Sequence, residues 1–174
     1  MNYKNIALPI KKPESLKAGD QVFLSGTIYT ARDAAHKRLC DELAKNKSPP
    51  FHFEGAVVYY TGPCPASTGY VIGSIGPTTS GRMDKYASEL IACGLKFMIG
   101  KGDRSQAVID AIKIHKGIYF AAIGGAGALY ATCVNSAKVI AYSDLGAEAI
   151  YKLQVKNMPL VVAIDTQGSN IYDR

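Results

Sequence analysis

The sequence predicts a mixed α/β domain in which a β-sheet packs in layers against α-helices. Three observations indicate this fold class: strand-like segments stand early in the chain, strand and helix patterns alternate from residue 95 onward, and glycines stand at several helix ends. The chain has 174 residues, of which 48% are hydrophobic, so it can bury one substantial core. We therefore expect residues 1–174 to form a single domain.

The strands are predicted from short, mainly apolar runs that are bounded by residues typical of turns. In the first of these runs apolar and polar residues alternate. The predicted strands cover residues 21–29, 55–60, 95–99, 118–122, 137–142 and 160–164. Residues 61–76 are rich in Gly, Pro, Ser and Thr, and we expect extended or turn structure there.

The helices are predicted from apolar residues that recur every three or four positions. They cover residues 30–45, 81–93 and 105–115, and a short helix follows the glycine-rich turn 124–127. Thr30 is expected to be the N-cap of the first helix, with Asp33 in a capping-box-like position. Gly94 and Gly117 are expected to be the C-terminal glycine caps of the second and third helices.

Charge and hydropathy exclude several classes of protein. The formal net charge is +6, but the 20 Lys and Arg residues are scattered, whereas nucleic-acid-binding proteins concentrate charge in a patch. Residues 1–12 lack the apolar core of a signal peptide. No apolar run approaches the roughly 18 residues that a transmembrane helix needs. We expect neither a nucleic-acid partner nor a membrane segment.

The cysteines Cys40, Cys64, Cys93 and Cys133 are far apart in the sequence and form no C-x-x-C pair. This spacing is not that of a zinc site or an iron–sulfur ligand set. We therefore predict that this chain itself binds no metal. Scattered cysteines are typical of reduced thiols in a cytoplasmic protein. Cys93 lies in an apolar helical run and is expected in the core.

The segment Gly76–Asp84, with the sequence Gly-Pro-Thr-Thr-Ser-Gly-Arg-Met-Asp, is the strongest indication of a functional site. It combines three hydroxyl groups, a flexible glycine and a cation directly before a predicted helix. Backbone N–H groups, hydroxyls and a guanidinium at a helix N-terminus suit the binding of a small anion. The alternative is an ordinary helix start that Thr79 or Ser80 caps.

Two other loops that follow predicted strands each carry a cation. Arg32 stands near the N-terminus of the first helix, where a positive charge costs about 0.3–1 kcal/mol against the helix dipole. Lys101 lies between two glycines, which let the backbone approach a ligand closely. Ligands of α/β sheets collect outside the carboxyl ends of the strands. We therefore expect Arg32, Arg82 and Lys101 to converge on one polyanionic ligand.

Three neighbouring residues are candidates for a supporting role, and each has a plainer alternative. His36 lies one turn beyond Arg32 and either faces the same site or is a solvent-exposed helix residue. Helix capping accounts for Asp33 without a functional role. Arg104 either supports the site or is an ordinary surface charge.

Several motifs, in order along nearly the whole chain, resemble the β subunit of two-subunit class I fumarate hydratases. These motifs cover residues 26–27, 31–36, 60–63, 76–84, 101–105, 123–129 and 164–169. The sister family of L(+)-tartrate dehydratase β subunits shares the Arg-Asp element and the Gly-Pro-Thr-Thr-Ser core. It usually lacks the glycine before the loop arginine and the Asp-Arg-Ser after Lys-Gly, and both are present here. The resemblance therefore favours fumarase.

This resemblance implies a swivelling β/β/α domain that supplies half of the active site of a hydro-lyase. The reaction would be the reversible hydration of fumarate to (S)-malate, a step of the tricarboxylic acid cycle. A partner α subunit would bind a [4Fe–4S] cluster through three cysteines, in a cytoplasmic α2β2 heterotetramer. By similarity, Arg32, Thr79, Arg82 and Lys101 would bind the substrate carboxylates, and Thr78 would be the catalytic base.

Two points stay open at the level of the sequence. A threonine hydroxyl is a weak base at neutral pH. Thr78 therefore either has its alkoxide stabilised by the neighbouring cations or relays a proton to another group. The chain is alternatively an L(+)-tartrate dehydratase β subunit or a non-catalytic subunit that binds anionic metabolites.

Overall fold

The computed structural model describes residues 3–173 and confirms a mixed, layered α/β fold. Seven strands of these residues form one sheet: β1 Lys4–Ala7, β2 Gln21–Thr30, β3 Val57–Tyr59, β4 Phe97–Gly100, β5 Ile118–Ala121, β6 Val134–Ala141 and β7 Ile150–Ile164. The α-helices are α1 Asp33–Leu43, α2 Asp84–Ala92, α3 Gln106–His115 and α4 Gly127–Thr132. Short 3-10 turns span Pro13–Ser15, Ser80–Met83 and Ser143–Glu148.

The sheet brings four strand ends to one edge. β2, β3, β4 and β5 are neighbours in this order and run parallel, so their carboxyl ends point the same way. β7 is antiparallel to both β5 and β2, which closes a ring of strand pairings. β1 pairs with β2 outside this ring, and β6 pairs with the first half of β7. The segments that follow β2 to β5 therefore lie close together.

Two apolar cores occupy the two faces of the sheet. Val57 and Tyr59 of β3 belong to one core, which contains residues of the strands and of α4. Val58 and Tyr60 belong to the other, which lies between the sheet and α1, α2 and α3. Tyr119 of β5 also points into this helix-side core. The alternation follows from the two-residue period of a strand.

The N-cap of the first helix lies two residues later than predicted, and the helix begins at Asp33. Thr30 is the last residue of β2, and its buried hydroxyl accepts a hydrogen bond from the Tyr151 N–H at 3.1 Å. The N-cap residue is Arg32, whose side chain makes no capping hydrogen bond. The predicted Thr30 cap and the capping box with Asp33 are therefore wrong. A buried hydroxyl needs a partner, and the backbone of β7 supplies it.

Of the two predicted glycine caps, one is confirmed and the other is wrong. Gly94 follows α2 with a left-handed φ of 105°, and its N–H donates to the Ile91 carbonyl at 3.0 Å. After α3 the left-handed residue is Lys116, with a φ of 55°. Position 117 requires glycine for another reason: a Cβ there would lie 2.5 Å from the Lys96 carbonyl oxygen. Glycine thus allows the start of β5 to approach the start of β4.

The last strands are longer than predicted. Residues 160–164 are only the end of β7, which has 15 residues, and β6 begins at Val134. Leu153 to Lys156 do alternate between buried apolar and exposed polar residues, as in a strand with one solvated face, and this signal was missed. β1 was not predicted because its four residues, Lys-Asn-Ile-Ala, form neither an apolar run nor an alternating pattern.

Cys93 is exposed rather than part of the core, because it stands just after the last turn of α2. In the part of the chain that the structure describes, no helix has the length and apolar character to cross a bilayer.

Candidate active site

The three predicted loops meet at the carboxyl edge of the parallel strands. Arg32 comes two residues after β2, and Lys101 directly follows β4. The segment Gly76–Asp84 follows no strand, and we call it the hydroxyl loop. Backbone hydrogen bonds place the hydroxyl loop between the ends of β3 and β4.

The hydroxyl loop is held from both sides. The Thr78 N–H donates to the Tyr60 carbonyl, just beyond β3, at 2.7 Å. The Ser80 N–H donates to the Lys101 carbonyl, just beyond β4, at 2.9 Å. The two strands therefore fix the backbone on either side of Thr79, whereas exposed loops are ordinarily mobile.

The alternative explanation of the hydroxyl loop as a capped helix start is wrong. Thr79 is the N-cap of the 3-10 turn but makes no side-chain capping hydrogen bond. The Ser80 hydroxyl is buried and binds the Tyr119 hydroxyl at 2.8 Å. A Cβ at Gly100 would overlap the Ser80 hydroxyl, so this glycine is needed for the loop to approach β4.

Arg82 is held by a carboxylate of the first loop. Its Nε and Nη2 atoms donate to Asp33 Oδ1 and Oδ2 at 2.9 and 2.8 Å, which is a two-point ion pair. Asp33 also lies 3.6 Å from Arg32 Nε. Partial burial opposes the charge on Asp33, but hydrogen bonds from its own N–H and from Arg82, together with both arginine charges, lower its pKa. Asp33 therefore joins the two arginines, which a capping role would not require.

Arg32 has a second acidic partner. Its Nη2 lies 3.2 Å from Glu148 Oε1, and Glu148 Oε2 accepts the Ala34 N–H at 2.7 Å. Gly62 leaves room for Arg32, because a Cβ there would lie 3.1 Å from its Cδ and Nη1 atoms. Arg32 Nε is buried and has no hydrogen-bond acceptor within residues 3–173. This buried atom instead faces Asp33 Oδ2 at 3.6 Å.

Lys101 differs from the two arginines because no acidic residue between positions 3 and 173 pairs with it. Its half-buried side chain extends beside the glycine-rich turn, where a Cβ on Gly124 would lie 3.8 Å from Lys101 Nζ. Thr79 and Lys101 also form a parallel bridge through their backbones. The ammonium group therefore lies beside the glycine-rich turn with no acidic partner among residues 3–173.

Arg104 is buried, with 5% of its area exposed, so the surface-charge alternative is wrong. Its Nε donates to Asp84 Oδ1 at 2.7 Å. Its guanidinium lies 5.3 and 5.0 Å from the ring centres of Tyr60 and Tyr119. Burial disfavours the charge, but Tyr60 and Asp84 outweigh this cost and raise the pKa of Arg104. Arg104 is a fixed cation beneath the loops.

His36 is also buried, so the solvent-exposed alternative is wrong. Its Nδ1 lies 3.0 Å from the Arg32 carbonyl, and its ring meets Tyr60 edge-on at 5.1 Å between centroids. Burial lowers the pKa of His36 to about 4; the Arg32 hydrogen bond opposes this change, and the Arg104 charge adds to it. At neutral pH the ring is uncharged, and Nδ1 carries the proton because a carbonyl can only accept.

Sequence reasoning missed Glu148 and Tyr119 as neighbours of the site. Glu148 is far from Arg32 in the sequence and stands in no recognisable motif. Tyr119 lies in an apolar strand, where the pattern indicates only core. The sequence did contain a signal that His36 is buried. It lies beside Ala35 and three residues before Leu39, which places it on the buried face of α1.

Comparison with known proteins identifies the family to which this arrangement of loops belongs. The family model described as Fumarase C-terminus matches residues 4–174. The chain belongs to this family. The match includes all three loops of the candidate site, so the site and the family assignment concern the same residues.

Relatives of this fumarase C-terminus chain are of two lengths. "Fumarate hydratase class I, aerobic" of Escherichia coli (strain K12) is 39% identical over 153 residues, which are 87% of this chain and 28% of that protein. "Fumarate hydratase 2" of Leishmania major is 35% identical over 158 residues, 90% of this chain and 28% of that protein. "Putative L(+)-tartrate dehydratase subunit beta" of Methanocaldococcus jannaschii is 37% identical over 179 residues, 99% of this chain and 92% of that protein. The chain therefore spans little more than a quarter of the fumarate hydratases, but nearly all of the Methanocaldococcus protein.

Buried, neutral His36 should make the stability of the protein depend on pH. A free histidine titrates near 6.5 and His36 near 4, so between these values the unfolded chain binds the additional proton. The free energy of unfolding should therefore fall as the pH falls from about 6.5 to 4, by roughly 3 kcal/mol from this residue. Urea titrations at pH 7 and pH 4 should show a smaller loss for His36→Phe than for the wild type.

The control for this measurement is His52→Gln, which changes an exposed histidine. It should keep the pH dependence of the wild type. Equal pH dependence in His36→Phe and the wild type would mean that His36 is not held neutral by burial.

Proposed function

We propose that this chain is the β subunit of an iron–sulfur hydro-lyase that interconverts fumarate and (S)-malate. The observation that carries the proposal is the hydroxyl loop, which is fixed beside Lys101 and whose Arg82 is joined to Arg32 through Asp33. Membership of the fumarase C-terminus family and the class I fumarate hydratases among its relatives support the same reaction.

Arg32, Thr79, Arg82 and Lys101 are proposed to bind the two carboxylates of the substrate. Each charge-assisted hydrogen bond contributes about 1.5–3 kcal/mol. Cations on separate loops would fix both ends of a four-carbon dicarboxylate, and such positioning can supply about 7–11 kcal/mol of the barrier. Arg82 suits this role because 52% of its side chain is exposed despite the pair with Asp33.

Thr78 is proposed to take the proton from the carbon next to a substrate carboxylate. Removal of this proton builds negative charge on the carboxylate, which Arg82 and Lys101 would stabilise. The Thr78 hydroxyl is a weak base at neutral pH. The same cations would stabilise its deprotonated form, the alkoxide, which is a much stronger base. In dehydration, hydroxide would leave the adjacent carbon with the C–O bonding pair as the double bond forms. In the hydration direction, water would supply the hydroxyl group to that carbon, and the Thr78 hydroxyl would return the proton to the other.

The residues of this chain do not fit a [4Fe–4S] cluster. Within residues 3–173, no group of three or more His, Cys, Asp or Glu side chains is arranged to hold a metal ion. Burial, with the nearby Glu89, raises the pKa of the Cys40 thiol to about 12, whereas a cluster ligand is a thiolate. We therefore propose that a partner α subunit binds the cluster in an α2β2 assembly.

The proposal includes a single domain and a cytoplasmic location for the chain. Residues 1–174 are proposed to act as one domain, since both apolar cores share the same sheet. The cytoplasmic location is proposed from the free, scattered cysteines Cys40, Cys64, Cys93 and Cys133.

Dehydration of L(+)-tartrate is the second candidate, because the Methanocaldococcus relative with that name matches nearly the whole chain. Gly81 and the segment 103–105 favour fumarase through the motif difference given above. A non-catalytic subunit that binds anionic metabolites would use the same cations but would not need the Thr78 hydroxyl.

The experiment that tests the proposal is reconstitution of the chain with a cluster-bearing α subunit under anaerobic conditions. We expect interconversion of malate and fumarate, followed by the ultraviolet absorbance of fumarate. Turnover of L(+)-tartrate without turnover of malate would instead select tartrate dehydratase. Calorimetric binding of the acids without turnover of any would select the non-catalytic subunit.

Arg82→Ala should reduce kcat/KM of the reconstituted enzyme by about 100-fold or more, because charge-assisted hydrogen bonds to a substrate carboxylate are lost. Steady-state kinetics with malate give this number, and circular dichroism should show an unchanged fold. Arg38→Ala is the matched control, since Arg38, in the middle of α1, also makes a two-point ion pair, with both carboxylate oxygens of Asp144 at 2.8 Å. Wild-type kinetics for Arg82→Ala would remove Arg82 from the site.

Thr78→Val should lower kcat by about 100-fold or more and change KM little, because general acid–base catalysis supplies about 10²–10⁴-fold and valine keeps the shape of threonine. Thr27→Val is the control, because it removes a hydroxyl that donates to Gln154 Oε1 across the β2–β7 pair, outside the three site loops. Normal turnover by Thr78→Val would exclude Thr78 as the group that moves the proton.

A further inference from the structure

A connected group of four residues lies beneath the loops and takes no part in the proposed reaction. We call Tyr60, Asp84, Arg104 and Tyr119 the anchoring cluster. The two tyrosines and Arg104 are buried, and 14% of the Asp84 side chain is exposed. A buried cation is retained only where its partners offset the cost of desolvation. Here those partners belong to the site loops and to the strands below them.

Asp84 joins the hydroxyl loop to the loop that carries Lys101. It is the last residue of the hydroxyl loop and the first of α2. Its Oδ1 accepts Arg104 Nε at 2.7 Å, and its Oδ2 accepts the Ser105 N–H at 2.5 Å. One carboxylate therefore fixes the position of both segments.

Tyr119 makes a second connection between the same two loops. Its hydroxyl lies 2.8 Å from the Ser80 hydroxyl and 2.8 Å from the Gly102 carbonyl. A carbonyl can only accept, so Tyr119 donates to Gly102 and accepts from Ser80. Burial raises the pKa of Tyr119, although Ser80 and Arg104 oppose this effect, so the phenol keeps the proton that it donates. Ser80 stands next to Thr79, and Gly102 stands next to Lys101.

Tyr60 extends the anchoring cluster to the remaining groups of the site. Its carbonyl accepts the Thr78 N–H at 2.7 Å, and its ring faces the Arg104 guanidinium. His36 connects Tyr60 to the first loop. Its ring meets the Tyr60 ring, and its Nδ1 donates to the Arg32 carbonyl. All three loops are thus connected to one buried network.

We propose that Tyr119 is a positioning residue, which holds Thr78, Thr79 and Lys101 in register by locking Ser80 to Gly102. This inference rests on the proposed function of those three residues. Catalytic groups need to be held within a fraction of an ångström, and a misplacement of about 1 Å can cost about 100-fold in rate. Loops that contain Gly76, Gly81 and Gly102 have little rigidity of their own.

Tyr119→Phe removes one hydroxyl and keeps the ring against Arg104. In the reconstituted enzyme we expect kcat for malate to fall by about 10- to 100-fold and KM to change less than about threefold, because alignment is lost and binding groups remain. Tyr142→Phe is the matched control: it removes a tyrosine hydroxyl that donates to Glu42 at 2.7 Å, at the far end of α1. It should leave kcat unchanged.

Hydrogen exchange of the full chain supplies the structural readout. In Tyr119→Phe we expect exchange at the Ser80 amide, which donates to the Lys101 carbonyl, to become at least tenfold faster. Amides of β4 should not change, and Tyr142→Phe should match the wild type. Unchanged exchange at Ser80 would overturn the role of Tyr119 in holding the loop.

A double-mutant cycle separates positioning through Ser80 from a general loss of stability. Ser80→Ala breaks the same hydrogen bond from the other side, so the double variant with Tyr119→Phe should lose no more kcat than the worse single variant. Additive losses, or wild-type kcat in Tyr119→Phe, would overturn the inference. Absence of turnover in the wild-type complex would reject the proposed function instead, and the exchange data would still decide whether Tyr119 locks the two loops.

Discussion

The ion pair between the buried Arg104 guanidinium and Asp84 is the interaction on which the arrangement of the loops depends. Such a pair contributes little net stability, because the desolvation of both charges offsets their attraction. Loss of one partner is different, since it leaves an uncompensated charge in the core at a cost of about 3–5 kcal/mol. The pair therefore acts as a geometric constraint: Arg104 can keep its place between Tyr60 and Tyr119 only while Asp84 keeps the hydroxyl loop beside it. A flexible, glycine-containing edge of the sheet is fixed in this way by a residue whose side chain is fully buried.

The cations of the candidate site are more exposed than Arg104, and their ion pairs are weaker. Arg32 and Arg82 share Asp33, and Arg32 also meets Glu148, so two positive and two negative groups lie together at the surface. Ion pairs of this exposure are worth about 0–1 kcal/mol. A dianionic ligand would therefore gain access to the guanidinium groups at small cost, while Asp33 keeps them from turning away into solvent before the ligand arrives. Lys101 needs no such partner, because its half-buried side chain is already confined beside Gly124.

The sequence predicted the elements whose pattern is local and failed where a distant contact decides the outcome. The apolar runs located β2 to β5, and the glycine-flanked loops between them located Arg32, the hydroxyl loop and Lys101 on one edge. Thr30 was misplaced because a hydroxyl before a helix is indistinguishable in sequence from a cap, and only its contact with Tyr151 makes it a strand residue. The partner of Asp33 is Arg82, which is 49 residues away, and no local rule connects them. Arg104 was ambiguous for the same reason, since charge suggests the surface and only its distant partners explain its burial: Asp84 and the rings of Tyr60 and Tyr119.

The candidate site is exposed, and the relatives differ in how much additional polypeptide could cover it. Thr79 is exposed and Arg82 is half-exposed, although electrostatic stabilisation of a developing carboxylate charge is strongest where water is excluded. The same edge of the sheet would therefore need a cover that residues 3–173 do not supply. In the E. coli and Leishmania relatives the matched region is 28% of the protein, so additional polypeptide is covalently present there, whereas the Methanocaldococcus relative is named a subunit. Under the proposed function, a site that keeps its own geometry through a buried network would suit both arrangements, because a covering part could be attached or separate without altering how Thr78, Arg82 and Lys101 are held.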